Sequence, residues 1–486
     1  MRMTVADGAR QSDAPTLAEQ IAEFAAETSF ADLPQAVVES VKMRVLDTLG
    51  IMLAAAPLET SRSARRWAAD HGGTAGATAV GVGERLPANM AAFVNGVLAH
   101  SLDYDDTHLP SVLHPSASVI PAALAAAEAN GVDGETVIRA IAIGLEVCVR
   151  LGMAGYDPVA KNSTFFANGQ HATSICGAMG GAVAAAVIAG EQHSIVDVLG
   201  VAASMASGII EANRTGGTVK RIHCGWAAHS AISAAELVRY GLTGPPTVLE
   251  GRFGFFQAWL HGNFNSAAIT DGLGTSWSVP DIFFKPYPAN HFTHAAIDAA
   301  ASLRRSGIDI ESIDRLILGV PAPNFPTIGD PIEVKRTPTT GYMAQFSGPY
   351  AVVAGLLGGG GLEVGLDDYA DELANDPYRR ELMQKVDVVI DAECTAIFPT
   401  QFPAVLTARM KDGTTRTEKV LTNRGGPDRP LTFAELTKKF EDNARRTLAA
   451  DAVDRLAADC RSLENCTYVK DLLAPLARVD PLEVEK

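Results

Sequence analysis

The sequence predicts a mainly α protein: a large all-helical domain formed by residues 1–276 and 430–486, with a smaller α+β domain over 277–429 inserted between them. Three observations carry this prediction. Apolar residues recur at helical spacing throughout the first half, short β-type runs replace them from about residue 277, and the helical pattern returns from Leu431 to the end.

Taken in order, Thr16 and Glu19 stand at the spacing of a capping box, which satisfies free N–H groups in the first turn of a helix. Pro34 suits the first turn of the next helix, in which Val38, Val41, Val45, Leu49 and Met52 share one face. Further helical segments follow near 60–71, 87–102, 116–130, 135–153, 174–189, 195–212 and 226–240. The runs AALAAAEA and GAMGGAVAAAVIAG carry little side-chain bulk, so their axes can approach closely. Asp314–Val320 and Val386–Asp391 have strand composition, and Pro403–Met410 with Thr414–Val420 form a hairpin turned at Gly413. Gly358–Gly361 is a loop without the Lys-Ser/Thr ending of a phosphate-binding loop. FAELTKKFEDNARRTL and VDRLAADC restore helix and return the chain to the first domain.

Composition narrows the function. Of the 486 residues, 47% are hydrophobic and only 20% charged, which excludes a disordered chain. A net charge of −16 argues against a general nucleic-acid or anionic-membrane surface. The mean hydropathy of +0.10 points to apolar surface buried between subunits. The N-terminus has no apolar core of a signal peptide and reads as a short mobile tail. The longest uncharged run, Asn162–Gly190, contains Asn168, Gln170 and His171 and is a buried helix with its loop, not a membrane span. Six cysteines without a CxxC pair are expected to be reduced thiols of a cytoplasmic protein.

HExxH, GxSxG, GxGxxG and paired CxxC motifs are all absent, which lowers zinc hydrolysis, serine-esterase chemistry and dinucleotide redox. Four polar clusters interrupt the apolar pattern instead. In the first, HSLDYDDTH from His100 to His108 with His114 beyond it, a continuing helix places His100, Asp103 and Thr107 on one face. That cluster is open to three readings: a catalytic group, a solvated helix end, or a divalent-cation site of Asp103, Asp105 and Asp106. The second cluster, Asn168 to His171, enters the Ala/Gly helix, where a histidine is either catalytic or simply hydrogen-bonded. The third runs from Thr218 through Lys220 and Arg221 to His223 and His229. Between residues 198 and 270 the bases Arg214, Lys220, Arg221, Arg239 and Arg252 face the acids Glu211, Glu236 and Glu250, a net of 5 − 3 = +2 in an acidic chain. Such an island suits an anionic substrate, or else is a solvated helix face. In the fourth, prolines flank Tyr287 and stiffen the segment carrying Lys285, followed by Asn290, His291 and His294. Lys285 is a carboxylate ligand or base, or an interdomain salt-bridge partner.

Together these clusters resemble the MmgE/PrpD family, which includes 2-methylcitrate dehydratase, cis-aconitate decarboxylase and iminodisuccinate epimerase. The matching stretches AHSLDYDDTH with HPS, GQHATSICGAMGGA, TVKRIHCGWAAHS, TGPPTVLEGRFGFF and FKPYPANHFTHAAIDAA follow the family's order over most of the chain. The resemblance implies an all-helical domain with a smaller α+β lid, a homodimer, and a site between the domains. It also implies a small di- or tricarboxylate substrate with no metal or organic cofactor. Asp103, Thr107, His114, His171, Lys220 and Lys285 fall at its pocket positions; Asp103, His114, His171, Lys220 and Lys285 are the expected catalytic residues, and Thr107, Arg221 and Asn290 the expected substrate-binding ones. Decarboxylases of the cis-aconitate type carry a histidine where this chain has Asn290 and a tyrosine about where it has Phe325, which counts against that activity.

The chemistry implied is a lyase reaction, with 2-methylcitrate-type dehydration first and with epimerisation, decarboxylation or a non-catalytic carboxylate-binding module as alternatives. Proton loss beside a carboxylate develops enediolate-like charge, which fixed lysines stabilise, while a histidine of near-neutral pKa takes the proton. Because Lys285 lies past the domain junction, closure of the second domain is expected to complete the site.

Overall fold

Helices begin where the sequence places them. The computed structural model describes residues 14–191, 194–212 and 216–479, so the N-terminal tail and Arg214 lie outside the described residues. Thr16 and Glu19 close the capping box of α1 (Leu17–Glu27) through bonds of 3.2 and 2.7 Å to each other's backbone N–H. Then come α2 (Gln35–Ala55), α3 (Glu59–His71), α4 (Ala88–His100), α5 (Ser116–Asn130), α6 (Gly134–Ala154), α7 (Ala172–Ile188), α8 (Ile195–Met205) and α9 (Ile222–Arg239). Val38, Val41, Val45, Leu49 and Met52 of α2 are all buried in one apolar cluster with the other helices.

Two glycine crossings set how closely these helices approach. A Cβ on Gly144 of α6 would lie 2.6 Å from the Gly180 carbonyl of α7, and one on Gly225 of α9 would lie 2.5 Å from the Phe93 carbonyl of α4. The second crossing matters for function, because it brings the start of α9 against the end of α4, where His100 stands. Helix α8 ends at Met205, short of the predicted residue 212. Residues beyond it run extended, with Ile209 bridging Gln170 and Gly208 at φ 138° accepting a bond from the His171 N–H. There the His171 N–H bonds the Gly208 carbonyl and the Ile210 N–H the Gly169 carbonyl, both at 3.0 Å, so the segment before α7 takes up backbone groups that a further helical turn would otherwise bond.

The sheet is built from β1 (Ile313–Val320), β2 (Val386–Ile390), β3 (Ala404–Met410) and β4 (Thr415–Val420) in the order β2-β1-β3-β4. β2 runs parallel to β1, and the other pairs are antiparallel, with Ala404 opposite Val420 in the β3–β4 hairpin. Helices α10 (His294–Arg305) and α11 (Gly348–Leu357) share a second apolar cluster with Leu316, Leu318, Leu406 and Ala408 of the sheet. The outer strand β4 is mostly exposed and carries Arg416, Glu418 and Lys419, charges that discourage edge pairing. The returning helix α12 (Phe433–Ala444) contributes Leu436 to the second cluster and Phe440 and Ala444 to the first, and α13 (Ala450–Arg461) packs wholly in the first. Among the described residues no helix is long and apolar enough to cross a membrane.

Candidate active site

Helix α4 stops at His100. The chain then loops to Pro115, with Asp103 at φ 52° and Val112 at φ 55°, so the helical alignment of His100, Asp103 and Thr107 predicted from spacing does not form. The loop turns each of its three aspartates to a different partner. Asp106 pairs with Arg44 of α2 at 2.6 Å and also accepts from the Ser116 N–H and hydroxyl at the start of α5. Asp105 accepts from His100 Nδ1 at 2.6 Å. Asp103 lies 3.3 Å from Lys285 Nζ and 3.7 Å from Lys220 Nζ, and its carbonyl accepts from Lys285 at 2.7 Å. Both simpler readings of this cluster are therefore corrected. Asp105 and Asp106 are buried, not solvated, and among the described residues no three His, Cys, Asp or Glu groups gather to hold a metal. Each of the three carboxylates has its own cationic or imidazole partner, and that pairing offsets its desolvation.

Four imidazoles line up beside this loop. Ring centroids are 5.4 Å apart for His114 and His100, 5.5 Å for His100 and His171, and 4.9 Å for His171 and His223. His114 Nδ1 sits 2.6 Å from the Asp106 carbonyl, so it must carry the proton, which leaves Nε2 as the basic nitrogen. The Thr107 hydroxyl is 3.4 Å from the same Nδ1. His171 precedes the first turn of α7, and its Nδ1 is 2.9 Å from His223 Nδ1, so one of these nitrogens donates and the other accepts.

Two elements complete the cluster. A 3-10 turn, Val219–Arg221, delivers Lys220 just before α9. The segment entering the sheet-containing half is fastened to the loop by paired bonds of 2.8 Å between Thr107 and Phe283, which seat Lys285 on Asp103. Lys285 already contacts Asp103 in this structure. Asp103, Thr107, His114, His171, Lys220 and Lys285 are brought together. Arg221 is not: its guanidinium donates to Thr60 of α3 at 2.7 Å. Asn290 caps the turn His291–Thr293 by accepting from the Phe292 N–H, and Phe325 packs against the apolar cluster of the sheet. The sequence named His100, Asp105 and His223 within its polar clusters without showing which partners they meet. A pair five residues apart fits no helical period, and His223 reaches His171 only through tertiary packing.

The electrostatics follow from burial and these contacts. Burial opposes charging of His100, but Asp105, with Cys224 adding to it, raises the imidazole pKa to about 10. Burial pushes His114 and His223 down to about 4, against Asp105 and with Lys285 and His100 adding at His114, and with His100 adding at His223; burial also holds His171 well below its ordinary value. Against the cost of burial, Lys285 and Lys220 hold the Asp103 carboxyl at about 2, and Asp103 and Asp105 in turn raise Lys220. The cluster thus has neutral histidines beside a carboxylate and two lysines. Lys220 keeps 24% of its side chain exposed and Asp103 13%, whereas Lys285 keeps 2%, so solvent reaches the site from the Lys220 side.

These shifts predict the stability profile. His114, His223 and the likewise buried His108 titrate near 4 when folded and near 6.5 when unfolded, so the unfolded chain takes up more protons and stability falls as pH drops between those values. The Asp103 contribution is lost further down, as pH falls through about 2. His100 has the opposite sign: its contribution is complete below about 6.5 and is lost as pH rises through about 10. Melting temperature followed by circular dichroism should peak near neutrality and decline on both sides; a plateau extending into acid would show that these histidines are not buried neutral.

Residues 19–267 match the MmgE/PrpD N-terminal domain and residues 287–464 the MmgE/PrpD C-terminal domain. Cis-aconitate decarboxylase of Homo sapiens is 31% identical over 463 residues, covering 91% of this chain and 91% of its own length. The Mus musculus enzyme is 29% identical over 464 residues, with 91% and 90% covered. Cis-aconitate decarboxylase of Aspergillus terreus is 28% identical over 298 residues, 59% of this chain and 60% of its own. The two domain matches lie in succession on either side of the segment that carries Lys285, and together they span most of the described chain. The chain belongs to the MmgE/PrpD family.

Proposed function

We propose that this lyase acts on a small di- or tricarboxylate, breaking a bond beside one carboxylate while Lys220 and Lys285 stabilise the charge that develops, and that decarboxylation of a cis-aconitate-like acid is its reaction. The observation that carries the reading is the pairing of both lysines with Asp103 beside neutral histidines. In decarboxylation the C–COO⁻ bond breaks, its electron pair is delocalised into the neighbouring unsaturated carboxylate, and carbon then takes a proton supplied from water. Preorganised cations matter most at the charged intermediate, where water is excluded. His114, with Nδ1–H fixed on the Asp106 carbonyl, presents Nε2 to take a proton from water and pass it to the carbon, the hydroxide adding to the released CO₂ as bicarbonate, and His171 is a second group of this kind. Asp103 holds the two ammonium groups in place, and Thr107 orients His114.

Two identities support decarboxylation: the human and mouse relatives, each matched over nine-tenths of this chain. A second reading, dehydration of the 2-methylcitrate type, is favoured by Asn290, whose side chain is occupied in capping the turn that follows it. In that reaction the neutral histidine removes the proton beside the carboxylate and the β-hydroxyl leaves with a proton as water. Residues 1–276 with 430–486 supply the histidines and Lys220, residues 277–429 supply Lys285, and a homodimer is the expected assembly.

Proton NMR in D₂O on a panel of cis-aconitate, 2-methylcitrate and aspartate-derived acids tests the assignment. CO₂ release with a new alkene signal from cis-aconitate is expected. Alkene formation from 2-methylcitrate alone would transfer the assignment to dehydration, deuterium uptake without net change would make the protein an isomerase, and silence across the panel would leave a binding module. Turnover is also expected to survive exhaustive chelation; loss of activity that returns with a stoichiometric metal would overturn the metal-free mechanism.

A further inference from the structure

We propose that His100, held as an imidazolium by Asp105, is a built-in positive charge at the centre of this site, a positioning element that adds to burial in keeping His171 and His223 unprotonated and so available as bases at neutral pH. The inference rests on the reading of the cluster as an active site and adds a residue pair that the family resemblance does not assign.

Placement is the first argument. The His100 ring lies between those of His114 and His171, at 5.4 and 5.5 Å, so a charge on it is felt by both. The second is the hydrogen bond. His100 Nδ1 and Asp105 Oδ2 are 2.6 Å apart with 1% and 4% of their side chains exposed, and a buried carboxylate bonded to an imidazole favours the imidazolium, since otherwise its own charge stands unpaired. The third is the other ring nitrogen. Nε2 is buried beside the Cys224 thiol of α9 with no nitrogen or oxygen partner among the described residues, so Asp105 is the carboxylate that decides the charge on the ring.

The surrounding charges are consistent with this role. Asp105 faces His100 from the same loop, Cys224 from α9, His114 from the end of the loop and His171 from the start of α7. Lys220 and Lys285 lie beyond, bound to Asp103; both add positive field at His114 and Lys220 adds it at His171, while Asp105, 4.0 Å from His114 Nδ1, opposes them at His114. Proton uptake by any of the three neutral histidines would place it beside an existing cation. Removing the His100 charge while Asp105 remains makes that uptake easier, so the pKa values of His114 and His171 rise.

The test begins with the full-length wild-type protein labelled with ¹⁵N-histidine and without substrate. One histidine should remain doubly protonated from pH 6 to about 9, with a far-downfield Nδ1–H signal that His100→Gln abolishes, while the others are neutral at pH 7. In His100→Gln the acid limb of the kcat/KM profile should move up by about one pH unit or more, as expected for losing a charge some 5 Å away at an effective dielectric near 20. A His100 that is singly protonated at pH 8 would overturn the proposal without any assay. So would a folded His100→Gln protein that turns over more slowly with its acid limb unmoved. If the NMR result holds but no acid in the panel reacts, the cation stands and the assigned activity fails.

Discussion

Replacing Arg44 with methionine should destabilise the protein by about 3–5 kcal/mol, because it strands Asp106 as an unpaired charge in the interior. The pair is closed at 2.6 Å with 0% and 2% of the two side chains exposed. The same guanidinium donates to the Val279 and Ile282 carbonyls and lies 4.4 Å over the Phe284 ring. It therefore fastens α2 to the start of the Asp103 loop's partner segment as well as to Asp106. Urea denaturation should show the loss. The double variant Arg44→Met with Asp106→Asn should recover part of it, since the second change removes the stranded charge. Equal stabilities for the Arg44→Met and wild-type proteins would mean that Asp106 finds another partner or a proton at little cost.

The largest loss of turnover is expected from Lys285→Met. One preorganised charge-stabilising donor accounts for about 10²–10³ in kcat, or about 2.7–4 kcal/mol of transition-state energy. Lys285 is nearly buried and binds Asp103 twice, through its carbonyl at 2.7 Å and its carboxylate at 3.3 Å, so its removal should also lower the melting temperature. Lys220→Ala should slow turnover while sparing the fold, because Lys220 is a quarter exposed and 3.7 Å from the same carboxylate. Measuring kcat, KM and melting temperature for both variants separates the roles. If Lys285→Met loses stability but keeps full turnover, Lys285 is a strut between the loop and the sheet-containing half.

Much of the architecture was legible because it depends on local pattern. The apolar face of α2 from Val38 to Met52, the capping box at Thr16 and the β3–β4 hairpin turned at Gly413 all recur in the structure near the predicted limits. The α8 boundary was not legible, because its end is set by the pairing of Ile209 with Gln170 and not by the composition of the helix. The loop after His100 was misread for a similar reason. Nothing in HSLDYDDTH says that Asp103 will take a positive φ, because that conformation is stabilised from outside by Lys285, 182 residues nearer the C-terminus.

The residue types of the site were likewise evident while their partners were not. Histidines, aspartates and lysines in apolar surroundings point to acid–base chemistry on an anion, and the family pattern locates them. Arg221 looked equivalent to Lys220 in the sequence, yet three-dimensional packing turns it to Thr60. The three aspartates looked like one acidic cluster, yet Arg44, His100 and the two lysines draw them apart. By itself, the sequence determined the family, the mainly helical character and the set of chemical groups, because these follow from periodicity and from short motifs. Only the tertiary structure decided which charges pair, which histidine becomes a cation and which stay neutral. Those outcomes depend on burial and on contacts of a few ångströms between residues far apart in the chain, and electrostatic energy changes steeply over such distances once water is excluded.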